Sequence, residues 1–437
     1  MRIALVGSGI SGCLVARLLH DEHDVTLFES AQTPGGHAHT VDVELALEGR
    51  QVAVDTGFMV FNERTYPNFC RLLEFLDVPS QPSDMSFSVS CGRNGLEYQG
   101  SSLDGLFAQR RNLLNPTFYR LLIDILRFNR RGTSAAVSGC IPAEQSVGEF
   151  LSQQRIGRRF VDQYLVPMAS AIWSSRPEDI QSFPAHFLIG FFNNHGLMQL
   201  RDRPPWRTIV GGSREYVGRL LEPLGDRVRL GTPVHSIQRG TDNALITTRS
   251  GDEVFDQVVL ATHADQSLQL LKDANPIEKA ILSQFPYQTN HAVLHTDIRQ
   301  LPHRRRAWAS WNYRVHPEAA HPATVTYDLN RLQNLGLSQP LLLTLNPQMP
   351  IDRNLILREF KFAHPAFGPS SVSAQKLHDQ ISGMSQRTHF CGAYWGYGFH
   401  EDGVNSALAV ASHFGISLDS CIAASTRESL PTAVSIR

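Results

Sequence analysis

Apolar residues along this chain fall into runs of two kinds, short continuous stretches and longer stretches at helical spacing. Residues 2 to 6 and Val25 to Phe28 are continuous apolar runs that predict strands buried on both faces of a parallel sheet. Between them, from Ile10 to His20, apolar positions recur at helical spacing, so the N-terminus predicts a βαβ unit. A loop containing Gly35 and Gly36 follows, then a strand from Gln51 to Asp55. Residues 66 to 78 predict a helix, and Thr117 to Arg131 a strongly apolar helix with a basic end.

A second regular block starts at Gly211. It predicts a helix over Tyr216 to Leu224 and strands near Val228 to Leu230, Val234 to Gln238, Ala244 to Thr248 and Gln257 to Thr262. The stretch from 286 to 380 is rich in Pro, Trp and His and yields no strand order. The chain then predicts a strand over Thr388 to Gly392, an aromatic loop, a helix from about Val404 to Phe414, and a loose tail beyond 420.

A length of 437 residues suits two domains, and 42% hydrophobic with 19% charged residues describes a globular chain. A formal net charge of -1 gives no global field toward nucleic acid, so no nucleic-acid partner is expected. The six cysteines show no metal-like spacing, and no apolar run reaches the length of a spanning helix. The expected setting is cytoplasmic, with peripheral contact to the inner membrane face left open. Lysine is confined to Lys272, Lys279, Lys361 and Lys376.

The chemistry is concentrated first at Gly7, Gly9 and Gly12, a GxGxxG that follows a strand and opens a helix through Ile10 and Ser11. Gly7 permits the turn, Gly9 lets a pyrophosphate approach the backbone, and Gly12 allows the helix to pack on the sheet. Phosphates then sit at a helix N-terminus, where free N–H groups favour anions. Glu29 ends the second strand, where a carboxylate takes the hydroxyls of an adenosine ribose and disfavours a 2′-phosphate. This motif alone serves NAD and FAD equally.

Three further segments carry a resemblance. Glu29 with Pro34, Gly35, Gly36, His37, Ala38, His39 and Thr40 resembles the extended FAD fingerprint of the flavin-containing amine oxidase superfamily, in which an arginine usually stands where this chain has His37. Gly211 to Ser213 through Val234 and Ile237 resembles that family's second FAD segment. Phe390 to Ala393 with Glu401 to Val404 resembles its C-terminal flavin motif. Residues 54 to 58, 82 to 87, 171 to 174, 305 to 313 and 394 to 403 resemble a bacterial group of amine-oxidase-like proteins linked to fatty-acyl modification.

The resemblance implies an α/β fold: a Rossmann-type FAD-binding domain from residues 1–80, 205–285 and 385–420, with an inserted α+β substrate-binding domain from 81–204 and 286–384, and a tail at 421–437. It implies non-covalent FAD at Gly7, Gly9, Ile10, Ser11, Gly12, Glu29, Gly35, Gly36, His37, Thr40, Val234, Gly392, Gly403 and Val404. The last helix is expected to aim its N-terminus at the flavin, where its amides stabilise negative charge on the reduced ring.

Trp395, Tyr397, Phe399 and His400 precede that helix and read as an aromatic pocket wall, joined by Trp173, Phe191 and Phe192; His400 is the candidate for moving a proton near neutral pH. His291 and His295 would lie about 13 Å apart on a strand, so no shared metal is expected. Arg304 to Arg306 beside Trp308 and Trp311 read either as a phosphate-binding patch or as a solvated turn. The helix from 117 reads either as domain core or as a membrane-surface helix.

The expected function is an FAD-dependent oxidoreductase acting by hydride transfer at carbon on an apolar small molecule or lipid, fatty-acyl or isoprenoid. The alternatives are an oxygen-dependent amine oxidase and a non-catalytic flavin- or lipid-binding partner protein. Many amine oxidases of the family carry a lysine expected near residues 290 to 306, and this chain has none there. The electron acceptor and the oligomeric state stay open.

Overall fold

The computed structural model describes residues 1–45, 48–316 and 323–428. The two short apolar runs pair as expected: Arg2–Val6 and Asp24–Phe28 are adjacent parallel strands. They sit inside a five-stranded parallel sheet ordered Thr388–Phe390, Gln257–Leu260, Arg2–Val6, Asp24–Phe28 and Val228–Arg229. Helix α1 (Ile10–Leu19) packs on one face, and nine of its ten residues are buried. Such burial on every side is why this helix reads as almost uniformly apolar.

The predicted returning strands divide in two. Gln257–Leu260 joins the parallel sheet, whereas Val234–Arg239, Ala244–Thr248 and Gly251–Phe255 form a separate antiparallel sheet of three. Gln51 to Asp55 is half of a hairpin whose other half, Thr40–Leu45, was expected as loop. Its alternation of half-buried and buried residues is a one-sided strand, covered on its apolar side only.

The region without a predicted strand order supplies five strands of a seven-stranded sheet that Phe87–Cys91 and Leu96–Gln99 complete, in the order Ile356–Pro365, Tyr287–His295, Leu342–Leu345, Thr324–Asp328, Trp311–Val315, Phe87–Cys91 and Leu96–Gln99. Its order is illegible in sequence because Phe87–Cys91 pairs in parallel with Trp311–Val315, more than 200 residues later. Helices α2 (Pro67–Phe75), α3 (Pro116–Ser138) and α4 (Ala185–Asn194) flank these sheets. Helix α5 (His400–His413) returns to α1. A further helix spans Leu418–Glu428 where a loose tail was expected, and residues 429–437 lie outside the described residues. No described helix is long and apolar enough to cross a membrane.

Candidate active site

Glycine segments far apart in sequence meet at the carboxyl ends of the parallel strands, where sheets of this kind bind ligands. A Cβ on Gly12 would stand 2.0 Å from the Gly7 carbonyl oxygen, so α1 reaches the sheet only because that side chain is absent. A Cβ on Gly9 would meet nothing within 4 Å. The space in front of the first amides of α1 is therefore open, as a pyrophosphate cradle requires. The Gly35 amide donates to the Ser8 carbonyl at 3.0 Å, which lays the second glycine pair across the first and leaves Gly36 exposed.

Glu29 is fixed at the edge of this cradle. Its Oε2 accepts from the Ser8 amide at 2.9 Å and the Ser8 hydroxyl at 2.6 Å, and its Oε1 accepts from the Ala31 amide at 2.8 Å. Val234 is half-buried at the start of its strand. Thr40 has another task than cofactor contact: its hydroxyl donates to Asp55 at 2.5 Å and accepts from the Arg214 amide at 3.0 Å. Asp55 also accepts from the Ser213 amide at 2.8 Å, and burial pushes its carboxyl up to about 6. Thr40 and Asp55 thus tie the hairpin to the Gly211–Gly212 turn.

The C-terminal motif needs a shift. Helix α5 begins at His400, four residues before the expected Val404, because Asp402 caps it by accepting from the Phe399 amide at 2.9 Å. Gly403 already donates to the Phe399 carbonyl, and Val404 is wholly buried in the core, so neither presents a free amide. Gly403 instead sets the contact with α1: its carbonyl accepts from the Ser11 hydroxyl at 2.9 Å, and a Cβ there would stand 2.8 Å from the Ile10 side chain. Gly392 donates its amide to the Ser406 hydroxyl at 3.0 Å.

The sequence reading placed Glu401 and Asp402 in this motif without giving either a role. The Glu401 carboxylate accepts from the Asn68 and Phe69 amides at 2.9 Å each, capping α2. Burial raises the Asp402 carboxyl to about 6, while the Gly398 amide donates to the Ala393 carbonyl.

His400 stacks on Phe58 at 3.6 Å between centroids and 8° between planes, and its Nε2 is 2.7 Å from the Tyr216 hydroxyl. Burial lowers it to about 3. Burial disfavours the imidazolium, and the Phe58 stack with the Tyr216 bond fixes the ring at the start of α5.

The aromatic loop splits between the two sheets' cores. Trp395 packs edge-on against Phe285 at 5.1 Å and His378 at 4.6 Å, on the parallel-sheet side. Tyr397 lies 4.7 Å from Phe187 and 5.4 Å from Phe191, and its carbonyl accepts from Trp173 Nε1 at 3.0 Å. Phe399 lies 4.9 Å from Phe191. Phe192 points to the far side of α4, toward Phe128, and belongs to the core rather than the wall. The missed member is Phe187, four residues before Phe191 on one face of α4.

A third group of rings closes the boundary between the two sheets. His37 stands 5.1 Å from His364, 6.2 Å from His263 and 5.4 Å from Phe362. His364 Nδ1 is 2.9 Å from the Asn290 side-chain nitrogen. Burial lowers all three imidazoles, His364 to about 4. Lys361 lies between Phe360 and Phe362 on its strand; those two rings face His39 and His37, so strand alternation turns Lys361 to the opposite, exposed side. His291 and His295 share the strand Tyr287–His295 and bond separately, to Glu359 at 2.8 Å and Thr344 at 2.7 Å. Among the described residues no cluster of metal-ligating side chains is found.

The family model for flavin-containing amine oxidoreductases matches residues 10–332. The chain belongs to this family. No curated protein sequence matches it. Among solved structures, a fatty acid isomerase from P. acnes superimposes with a TM-score of 0.68 at 14% identity, over 94% of this chain and 98% of that one. Putrescine oxidase bound to putrescine gives 0.67 at 14%, over 95% and 99%. A putative protoporphyrinogen oxidase from Exiguobacterium sp. gives 0.65 at 17%, over 94% and 98%. At these identities the likeness establishes the fold alone.

This flavin oxidoreductase is FAD-dependent, and the open cradle at Gly9, the exposed Gly36 and the fixed Glu29 carboxylate fit the cofactor's diphosphate and ribose. Cys391 is wholly buried and offers no attachment point, in keeping with FAD held non-covalently.

Proposed function

We propose that this enzyme exchanges hydride with a carbon of an apolar substrate, fatty-acyl or isoprenoid, held at the aromatic boundary between its two sheets. The observation that carries the reading is the continuous ring cluster of Trp173, Phe187, Phe191, Tyr397 and Phe399. Bound FAD supplies a hydride acceptor or donor. The protein's share is positioning: rigid rings hold a carbon chain in place and keep water out, a contribution that needs no dedicated base. Asp402 fixes the loop that carries two of those rings. The free amides at the start of α5, from His400 to Asp402, favour negative charge in front of the helix.

The boundary offers little to an ammonium group. Burial disfavours the charged form of His37, His263 and His364, Asp402 holds the Phe399 amide, and Lys361 faces away. A fatty acid isomerase and an amine oxidase share the architecture about equally, so the choice of guest rests on the side chains. The test mixes anaerobic FAD-loaded enzyme with fatty-acyl lipids and, separately, with mono- and polyamines while the flavin absorbance is followed. Bleaching by a lipid, or reoxidation of reduced flavin by an unsaturated lipid, is the expected outcome. Fast bleaching by an amine with no response to any lipid overturns the proposal in favour of amine oxidation.

A further inference from the structure

Helix α3 buries Phe118, Leu121 and Phe128 and turns Tyr119, Ile123 and Leu126 outward, each more than 40% exposed. The 3₁₀ turn Arg110–Leu114 just before it adds Leu113 and Leu114, the latter 90% exposed. The Tyr119 hydroxyl donates to the Leu113 carbonyl at 3.0 Å, so turn and helix form one surface, with a groove of about 600 Å³ between them. Large apolar side chains gathered on one exposed face call for a partner.

The charge of the same surface identifies that partner's chemistry. Residues 110–131 hold six arginines, all exposed, and a single acid, Asp124, in a chain whose net charge is -1. Asp124 is buried and paired with Arg127 at 2.9 Å, Arg110 pairs with Asp104, and Arg131 donates to the Gln154 carbonyl. Arg111, Arg120 and Arg130 form no ion pair among the described residues. The arginines at 304 to 306 differ: Arg304 pairs with Glu97, Arg306 with Asp104, and Arg305 lies over Trp308, which makes them a braced turn.

We propose that this face docks on an anionic phospholipid bilayer, with Leu113, Leu114, Ile123 and Leu126 entering the headgroup boundary and Arg111, Arg120 and Arg130 meeting lipid phosphates. Apolar residues flanked by arginine match an interfacial helix, whose side chains bury carbon in the lipid and leave charge at its surface. The inner side of α3 packs on α4, the helix that carries Phe187 and Phe191, so the membrane face and the ring cluster lie on opposite sides of one helical layer.

The experiment floats the full-length, FAD-loaded protein with phosphatidylcholine vesicles and with vesicles that also contain phosphatidylglycerol. Wild-type protein floats with the anionic vesicles, and added salt releases it. The double variant Leu114→Glu/Ile123→Glu lowers its partition by about tenfold or more, and Arg111→Gln/Arg120→Gln/Arg130→Gln lowers it by a similar factor on anionic vesicles alone. Flavin absorbance shows that each variant is folded; if the glutamate pair fails to load FAD, the arginine variant decides. Wild-type protein that stays at the bottom, or variants that float equally well, overturns the proposal. So does a dimer in sedimentation that Leu114→Glu/Ile123→Glu separates, because a second copy would then cover the face. None of these readouts depends on which substrate the enzyme takes.

Discussion

The two halves of this enzyme are built from different materials. Around the parallel sheet, function rests on backbone: open space at Gly9, a helix start, and amides held in place by Glu29, Asp55, Glu401 and Asp402. Around the seven-stranded sheet it rests on side-chain surface, a set of rings from α4, the loop before α5 and Trp173. The cofactor half tolerates one residue type at a few positions, whereas the substrate half needs only bulk and shape. The first arrangement serves an invariant ligand, and the second leaves the guest to be chosen by packing.

The sharpest way to break this comparison is to add one methyl group to the cofactor half. In Gly12→Ala the new Cβ meets the backbone of the Gly7 turn and the Ala261 side chain behind it, and the turn cannot yield without parting helix from sheet. The expected result is loss of soluble, yellow protein. Recovery of normal FAD-loaded Gly12→Ala, judged by visible absorbance after gel filtration, would show that the glycine rule does not govern this half.

Acid tests the boundary where the halves meet. His37 and His263 come from the cofactor side and His364 from the Ile356–Pro365 strand, and burial depresses all three. A histidine with a lowered folded pKa contributes stability that is present above its unfolded value, about 6.5, and lost as pH falls toward its folded value, about 4 for His364. That group alone accounts for up to about 3 kcal/mol. Asp55 and Asp402, raised to about 6, act in the opposite sense, since their folded carboxyls hold protons that the unfolded ones release. His195, His295, His389 and His400 are also lowered, to about 3 or 4, and outnumber them. The thermal midpoint should fall steadily from pH 7 to 5 with FAD fluorescence rising at the same temperature. A midpoint that is flat or rises across that interval counts against a neutral imidazole boundary.

The same contrast explains what could be read in the sequence. Gly7, Gly9, Gly12 and Glu29 were legible because steric need restricts those positions to one or two residue types within a local unit. The start of α5 was misjudged by four residues because its cap, Asp402, reaches back to Phe399, a bond that spacing alone does not announce. The enclosure of His400 by Phe58 and Tyr216, each more than 180 residues away in sequence, left no local trace. The order of the seven strands depends on pairings across the chain; of the ring cluster, Trp173, Phe191, Tyr397 and Phe399 were read from the sequence, and Phe187 left only its i,i+4 spacing to Phe191.

The smallest effect expected in the cofactor half comes from Glu29→Gln, which alters charge while preserving shape. The carboxylate holds the Ser8 amide and hydroxyl with one oxygen and the Ala31 amide with the other, beside the place of the adenosine ribose. Glutamine keeps one acceptor and turns an NH₂ toward the other donors, so the Ala31 side, which is exposed, surrenders its bond to water. Ribose hydroxyls then meet a neutral group in place of a charged one. The difference between a charge-assisted and a neutral hydrogen bond is about 1 to 2 kcal/mol, so FAD should bind roughly tenfold more weakly to a protein that still folds. Gly9→Ala is the companion, since its methyl enters space that the protein itself leaves empty. It should leave the apoprotein's unfolding midpoint unchanged and weaken FAD more than Glu29→Gln does. If titration of apoprotein with FAD finds Gly9→Ala unimpaired and Glu29→Gln strongly impaired, side-chain charge and not backbone access sets cofactor affinity, and the division between the two halves fails at its central position.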